Sequence, residues 1–327
     1  MKIGAVSQTV LKRSVLKQLQ NDPRLLITPS VEEMCAGIET AGPEQTILTS
    51  VSVYGDEKNI GVFALATVIN HLASRGADPL GISVHISLPP HAYESRLTAM
   101  MEYIERASRA HHITVLCAKA EVNPVIRTAM IYMTGVGTLE KECLRQSNSM
   151  KAGQDIVLTR WIGLEGTLRI MGAKDEELKK RFVPTFIQRI QDLNQELFAL
   201  EELAIAKELR ATAMHQITEG GILAALWEIA DASHVGVEVE LSKMSIKQET
   251  IEVCEYYHIN PYQLTSAGAT LIATNQGEEL VDTLTKRGIQ ASLLGHATYG
   301  KERVIINGEE QRYIDRPAPD ELIKIYA

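Results

Sequence analysis

Apolar residues recur at two different spacings along this chain, and the alternation of the two predicts a mixed α/β protein. In Leu80–Leu88 every second residue from Ile82 onward is apolar, which is typical of a strand with one buried face. Ile60–Ser74 and Gly221–Ser233 carry apolar residues three and four positions apart, which predicts helices. Strand and helix patterns then follow one another to the end of the chain.

The remaining predicted elements share these two patterns. Further strands are predicted at Ile47–Val53, Thr114–Ala118, Ala129–Gly137, Ile156–Thr159, Val235–Leu241, Ala269–Thr274 and Ala291–Leu294. Further helices are predicted at Val6–Leu19 with Ser7 as its cap, Tyr93–Ala110, Glu176–Arg181, Thr185–Leu209, Lys247–Tyr257 and Gly277–Arg287. Arg303–Tyr313 is predicted to be a hairpin because Asn307-Gly308 suits a tight type I′ turn.

Two domains are predicted from the length of the chain and from a polar stretch near its middle. The sequence has 327 residues, which is more than one typical domain. Leu144–Gly153 is rich in Ser and Asn and separates two α/β units. We therefore expect domains at residues 1–145 and 150–315, followed by a C-terminal tail at 316–327.

Composition and charge narrow the class of protein. Hydrophobic residues make up 45% and charged residues 23%, values typical of a globular protein. The net charge of −8 argues against nonspecific nucleic-acid binding, which needs Lys and Arg against phosphates. No segment approaches the ~20 apolar residues of a membrane span. The four cysteines are widely spaced without a CxxC pair, so we expect reduced thiols in a cytoplasmic protein.

The segment Met214–Gly221 is the most informative for function. Thr218 and Glu219 precede two glycines at the predicted start of the helix Gly221–Ser233. Free backbone N–H groups at a helix start bind anions, and Gly220 and Gly221 allow close approach of a ligand to the main chain. This pattern indicates a phosphate or carboxylate site, although Thr218 and Glu219 can equally serve only as helix caps.

Met214–Gly221 resembles the His-Asp-x-Thr-Glu-Gly-Gly motif of the aminoimidazole ribonucleotide (AIR) synthase superfamily. That superfamily includes the hydrogenase maturation factor HypE, selenophosphate synthetase and thiamine monophosphate kinase. Three other segments resemble family motifs in the same order, and the likeness is strongest to the HypE-like, AIR-synthase-related branch: Leu65–Pro79, Trp161–Thr167 and Leu264–Ala273. The resemblance implies a two-domain fold of mixed sheets packed with helices, with the N-terminal domains pairing in a homodimer.

The resemblance also implies an ATP site between the domains, with the triphosphate held through Mg²⁺ on several aspartates. At four positions where the family has aspartate this sequence has other residues: Met34, Val51, His71 and Gln216. These side chains supply no carboxylate oxygen, the ligand that Mg²⁺ prefers. The residual groove residues are expected to be Asn70, Glu121, Thr218, Glu219, Gly220 and Gly221. A new metal site formed by His71, Glu121 and Glu219 is one interpretation, but the preferred interpretation of His71 is a polar helix residue that faces the groove.

Two classes of function remain open. The first is a HypE-like, AIR-synthase-related protein with a degenerate Mg²⁺-ATP site, which acts as a scaffold or as a regulatory partner of an active paralogue. In that case no cofactor is expected, no metal is bound, and a small-molecule ligand is an option for the old groove. The second is an ATP-dependent enzyme that transfers a phosphoryl group to a carbonyl or amide oxygen, with ATP and Mg²⁺ as cofactors. The sequence names neither the catalytic residues nor the ligand.

Overall fold

Two mixed sheets, each packed with helices, form the protein. The computed structural model describes residues 7–19, 22–27, 30–33, 35–40 and 42–326, with the side chain of residue 141 left out. The predicted α/β class and its division into two sheet-and-helix units are confirmed.

The first sheet has six strands in the spatial order β1-β2-β3-β6-β4-β5. Its strands are β1 Leu25–Ile27, β2 Cys35–Ile38, β3 Glu44–Tyr54, β4 Asp78–Leu88, β5 Thr114–Val122 and β6 Met130–Glu140. Only β4 and β5 pair in parallel, and the other neighbours are antiparallel. The helices of this half are α1 Gln8–Ser14, α2 Ile60–Ser74 and α3 Glu94–Ala110.

The second sheet has seven strands in the spatial order β13-β12-β9-β11-β7-β10-β8. Its strands are β7 Asp155–Thr159, β8 Ala213–Gln216, β9 Gly236–Glu240, β10 Thr270–Thr274, β11 Ala291–Thr298, β12 Arg303–Asn307 and β13 Glu310–Tyr313. Its helices are α4 Leu164–Ala173, α5 Asp175–Arg181, α6 Pro184–Asp192, α7 Leu200–Glu208, α8 Gly221–Ser233, α9 Gln248–Tyr257, α10 Gly277–Lys286 and α11 Ile323–Tyr326.

Helix α2 lies at the centre of the molecule and is buried on almost every side. It packs on β3 and β6 of the first sheet, and it also contacts α7 and β8 of the second half. A helix that is apolar all round is stable only inside a protein, because every face must be covered. The last turn of α2 therefore brings Asn70, His71 and Arg75 to the contact between the two halves.

Several sequence predictions are confirmed closely, and others are wrong. The predicted helices at Ile60–Ser74 and Gly221–Ser233 have the same bounds in the structure, and the hairpin around Asn307-Gly308 is present as β12 and β13. The single helix predicted at Thr185–Leu209 is instead α6, a 3₁₀ turn at Leu193–Glu196 and α7.

The break between α6 and α7 has a tertiary cause. The carbonyl oxygen of Leu197 accepts a hydrogen bond from Asn70 Nδ2 at 2.8 Å, and the amide of Ala199 donates to Asn70 Oδ1 at 2.9 Å. These two backbone groups are therefore bonded to α2 instead of continuing a helix. The expected cap by the Ser7 side chain is also not made.

The strands that periodicity missed are either short or exposed. Strands β1 and β8 have three and four residues, which is too few for a two-residue period to be recognised. Strand β5 extends to Val122, beyond the predicted end at Ala118, because it is an edge strand whose side chains are mostly exposed. An exposed edge strand leaves no alternating apolar pattern in the sequence.

Candidate functional site

The turn that leads from β8 into α8 has a backbone that its two glycines make possible. Gly220 and Gly221 both have left-handed backbone torsions, with φ of 82° and 66°. A Cβ atom on Gly221 would lie 2.5 Å from the carbonyl oxygen of Tyr262 and 2.8 Å from the amide nitrogen of Leu264. Any larger residue at this position would be strained and would collide with backbone.

A carboxylate of the chain itself occupies the start of α8. The backbone N–H of Gly220 donates to Asp320 Oδ2 at 2.8 Å, and the N–H of Leu322 donates to Asp320 Oδ1 at 2.8 Å. The N-terminus of a helix attracts negative charge because its first N–H groups are unpaired. The anion predicted at this turn is thus supplied, in this structure, by the C-terminal segment.

The C-terminal segment continues from Asp320 to Tyr326, which contacts residues of both halves. The ring of Tyr326 makes an edge contact with Tyr54 at 5.2 Å between centroids, and its hydroxyl donates to Glu57 Oε1 at 3.2 Å. The guanidinium of Arg169 lies 5.5 Å from the centroid of Tyr54 and 5.7 Å from that of Tyr326. Leu322 is also almost fully buried. The segment is therefore an integral part of the groove.

Several carboxyl groups are crowded around the C-terminal segment. Burial raises the pKa of Asp320 to about 7, and the nearby charges of Glu165 and Glu219 act in the same direction. Desolvation also raises the pKa of Glu219, with a further upward contribution from Glu165 and an opposing one from Arg169. Burial raises the pKa of Glu57 as well. The groove holds more carboxyl groups than the single guanidinium of Arg169 compensates.

Glu165 joins two of the segments on which the family resemblance rests. Its Oε2 accepts a hydrogen bond from the hydroxyl of Thr265 at 2.6 Å and from the amide of Ala267 at 3.2 Å. The amide of Gly163 donates to the hydroxyl of Ser266 at 2.6 Å. The Trp161–Thr167 and Leu264–Ala273 segments therefore build one wall of the groove together.

The positions where the resemblance led us to expect aspartate hold neutral residues wherever the structure describes them. Val51 lies on β3, half-buried against the core of the first half. His71 and Gln216 are 5% and 3% exposed. Met34 lies outside the described residues. Among those residues, no group of three or more His, Cys, Asp or Glu side chains is arranged to hold a metal ion.

His71 is held as a neutral imidazole. Burial lowers its pKa to about 3, and the charges of Arg75 and His215 act in the same direction. Its Nδ1 lies 3.4 Å from the hydroxyl of Thr49, whereas its Nε2 is buried without a hydrogen-bond partner. A neutral ring with one open nitrogen can bind a small polar molecule but adds no charge to the site.

Gln216 has an unusual amount of unused hydrogen-bonding capacity. Within the described ranges, its amide nitrogen and amide oxygen are both buried without a hydrogen-bond partner. The same holds for the hydroxyl of Thr270, which faces Gln216 across the β8–β10 pair. Buried polar atoms almost always find a partner in protein or in ordered water. The buried region around Gln216 and Thr270 is therefore suited to uncharged polar molecules, water included.

Two other predicted groove residues have different surroundings. Both polar atoms of the Asn70 side-chain amide form hydrogen bonds, with Leu197 and Ala199, so Asn70 connects α2 to the segment before α7. Glu121 lies exposed on β5 and accepts hydrogen bonds from Ser87 at 2.9 Å and Asn123 at 3.3 Å, which lower its pKa. In the described part of the chain, no hydrogen bond or ion pair joins Glu121 to Thr218 or Glu219.

Arg75, which the sequence did not single out, forms a buried ion pair within the first half and also bonds to the second half. Arg75 is 2% exposed and makes two hydrogen bonds to Glu33, at 2.9 and 3.2 Å. The same guanidinium donates to the hydroxyl of Ser147 at 2.8 Å and to the carbonyl oxygen of Met214 at 2.9 Å. Arg75 had no recognisable signal, since a lone Arg after a helix is usually a surface residue.

Ser147, His215 and Glu228 continue this network in an order familiar from nucleophilic catalysis. The hydroxyl of Ser147 lies 2.9 Å from His215 Nδ1, and His215 Nε2 lies 3.1 Å from Glu228 Oε2. Ser147 is fully buried, however, and its oxygen already accepts from Arg75. A nucleophile without access to a substrate cannot act, so the triad connects the linker to α8 as a structural element.

Comparison with known proteins is consistent with this architecture. The sequence model named AIR synthase related protein, N-terminal domain, matches residues 24–139, and the corresponding C-terminal domain model matches residues 151–307. The chain belongs to the AIR synthase related family.

Individual relatives place the chain near the hydrogenase maturation proteins of that family. A Methanocaldococcus jannaschii protein assigned to hydrogenase expression and formation is 22% identical over 272 residues, covering 82% of this chain and 79% of that protein. The carbamoyl dehydratase HypE of Rhizobium leguminosarum bv. viciae is 24% identical over 245 residues, covering 73% and 68%.

A solved structure shows the same fold. A crystal structure of the hydrogenase maturation protein HypE in complex with ATP superposes with a TM-score of 0.69 and 17% identity, covering 97% of this chain and 96% of that one. Identity at this level establishes the fold only. Within the described residues, no helix is long and apolar enough to cross a membrane.

Proposed function

We propose that this member of the AIR synthase related family has lost Mg²⁺-ATP turnover and acts as a binding or regulatory protein. The observation that carries the proposal is the carboxylate of Asp320 at the start of α8, where an anionic ligand would otherwise bind. Its docking leaves the groove occupied by the chain's own C-terminal segment.

The charges of the groove support the loss of metal binding. A magnesium ion on a triphosphate needs carboxylate oxygens in an octahedral arrangement. Val51, His71 and Gln216 supply none, and His71 stays neutral at physiological pH. The carboxylate of Glu165 is engaged elsewhere, because it accepts hydrogen bonds from Thr265 and Ala267. A triphosphate entering here would have to displace the carboxyl group of Asp320 from the Gly220 amide.

The alternative is the ATP-dependent phosphoryl transfer that the family resemblance implies. Relatives named carbamoyl dehydratase, and a HypE structure with ATP, give it weight, as does the retained glycine turn at Gly220-Gly221. In such transfer the protein contributes positioning and charge neutralisation. The two functions therefore differ in one measurable property, the binding of nucleotide that depends on Mg²⁺.

Calorimetric titration of the full chain with ATP and ADP, with and without Mg²⁺, tests the proposal. We expect no saturable Mg²⁺-dependent binding and no release of ADP above a protein-free blank. A variant with Asp at residues 34, 51, 71 and 216 should gain Mg²⁺ affinity, whereas the matched variant with Asn at these positions should not. ADP formation by the wild type that disappears in Glu219→Ala would establish the enzyme instead.

We further propose that the protein is a homodimer that pairs through the outer face of its first sheet. Tyr132 and Leu48 are 45% and 40% exposed there, and Ser50 and Thr134 between them leave a shallow depression of about 390 Å³. In the part of the chain that the structure describes, helices cover only the opposite face, so this one is available for a second copy. We also propose a cytoplasmic location, since the sequence leads us to expect reduced cysteines.

Sedimentation velocity tests the pairing. We expect a dimer at micromolar concentration and a monomer for Tyr132→Glu, because a buried charge at a symmetric interface is unfavourable in both copies. Tyr299→Glu serves as the control, since Tyr299 is 93% exposed on the other half. A monomeric wild type would contradict the proposal.

A further inference from the structure

An open surface cavity, separate from the groove, lies where the linker between the two halves passes over the turn between α7 and β8. It has a volume of about 450 Å³, within the range of small-molecule sites. Arg145, Asn148, Ser149 and Lys151 of the linker line one side, and Arg210 and Thr212 line the other. The cavity shares no residue with the groove described above.

The charge of this cavity is opposite to that of the protein as a whole. The chain has 41 acidic and 33 basic residues, yet the lining contains three cations and no carboxylate. In the part of the chain that the structure describes, none of Arg145, Lys151 and Arg210 forms an ion pair. Three unpaired cations around one cavity repel each other unless an anion joins them.

Arg145 shows the same lack of a partner at atomic detail. Its Nη1 donates to the carbonyl oxygens of Glu142 and Leu144 at 3.3 and 3.2 Å, which fixes the direction of the side chain. Among the described residues, its buried Nε has no hydrogen-bond partner. A guanidinium offers five donors in a planar fork that matches phosphate oxygens, so this one retains capacity for an oxyanion.

Both walls of the cavity are anchored. The amide of Arg145 donates to the carbonyl oxygen of Arg75 at 3.0 Å, and that of Lys151 donates to Gln154 Oε1 at 2.8 Å. On the opposite wall Thr212 donates to the same Gln154 oxygen at 2.8 Å. Arg210 ends the turn after α7 in a left-handed conformation with φ of 57°. A site whose walls are already fixed loses little entropy when a ligand binds.

We propose that this cavity binds a small phosphate-bearing molecule with two or three negative charges. Two guanidinium groups and one ammonium group supply matching positive charge, and Asn148, Ser149 and Thr212 supply neutral polar groups beside them. The net charge of −8 makes an extended polyanion such as nucleic acid an unsuitable occupant. Because one wall belongs to the linker and the other to the second half, the ligand would bind between the linker and the second half.

Titration calorimetry of the full chain, in EDTA and at constant ionic strength, tests the site. The probes are inorganic phosphate, pyrophosphate and phenyl phosphate. We expect saturable binding by the wild type, about tenfold weaker binding by Lys151→Gln or Arg210→Gln, and none by the double variant. Both side chains are exposed, so these variants should fold, and circular dichroism confirms it. Binding of phenyl phosphate as tight as that of inorganic phosphate identifies an organic ester as the ligand.

The control is Arg287→Gln, which removes an exposed cation far from the cavity lining and should bind like the wild type. Equal affinity of the wild type and the double variant, or no saturable binding to any probe, would overturn the assignment. Since EDTA removes Mg²⁺, either result leaves the proposal about the groove unaffected.

Discussion

The two halves of the protein meet at two polar regions whose electrostatic balance is opposite. The first region, which we call the junction, lies at the C-terminal end of α2. There the buried charge of Arg75 is paired with Glu33, and its remaining donors bond to Ser147 and Met214. At the groove, Asp320 and Glu219 crowd together, and the pKa of each is raised. Both regions are buried or half-buried, so the contrast comes from pairing and not from depth.

This difference separates a structural contact from a site that is suited to change. Fully paired buried charges hold two elements in one arrangement, and loss of one partner is costly. Carboxyl groups with raised pKa values are poorly stabilised where they are, and such groups concentrate at functional sites. The groove, and not the junction, is therefore where binding or release of the C-terminal segment is expected.

The junction provides the largest predicted effect. Arg75→Met should lower the free energy of unfolding by about 3–5 kcal/mol, because Glu33 would remain buried without its partner. Urea denaturation followed by circular dichroism measures it. Arg287→Met, which breaks an exposed pair with Glu201, should leave stability almost unchanged. An equal loss in both variants would mean that the junction is not the stronger region.

The glycine turn of the groove provides the next effect. Gly221→Ala should cost about 3 kcal/mol, the sum of a left-handed alanine and a collision with the backbone at Tyr262. Gly308→Ala is the matched control, because Gly308 has a similar φ of 62° but open space around it. Thermal unfolding of both variants separates collision from backbone strain. If their losses were the same, the close approach to Tyr262 would be incorrect.

The last effect is a pH dependence at the groove, which is the smallest of the three over any single pH unit. The pKa of Asp320 rises from 3.8 in the unfolded chain to about 7 when docked, so docking favours the protonated form. Its contribution is fully present below about pH 4 and is lost as pH rises toward 7, by at most about 1.4 kcal/mol per pH unit. Hydrogen exchange at the Gly220 amide should therefore accelerate as pH increases, beyond the intrinsic change.

Asp320→Asn removes the titrating carboxyl and should abolish this additional dependence. Asp315→Asn is the control, since Asp315 is exposed a few residues earlier in the same segment. A wild type whose excess exchange is flat between pH 5 and 8 would show that Asp320 is not held as described.

Local patterns predicted much of the fold, and they failed where tertiary contacts decide. The period of Ile60–Ser74 identified α2 to the residue, because a helix that must be buried records its burial in its own sequence. The helix expected at Thr185–Leu209 is broken, because Asn70 binds the backbone at Leu197 and Ala199. No local pattern encodes a hydrogen bond from a residue more than a hundred positions away.

The candidate site divides in the same way. The sequence by itself determined the glycine turn, since only glycine adopts the backbone at Gly220 and Gly221 without strain, and it determined the absence of carboxylates at Val51, His71 and Gln216. Only the tertiary structure decided that Asp320 occupies the start of α8 and that Arg75 is buried against Glu33. Charge partners are chosen by proximity in space, and segments that are distant in the sequence come close only once the chain has folded.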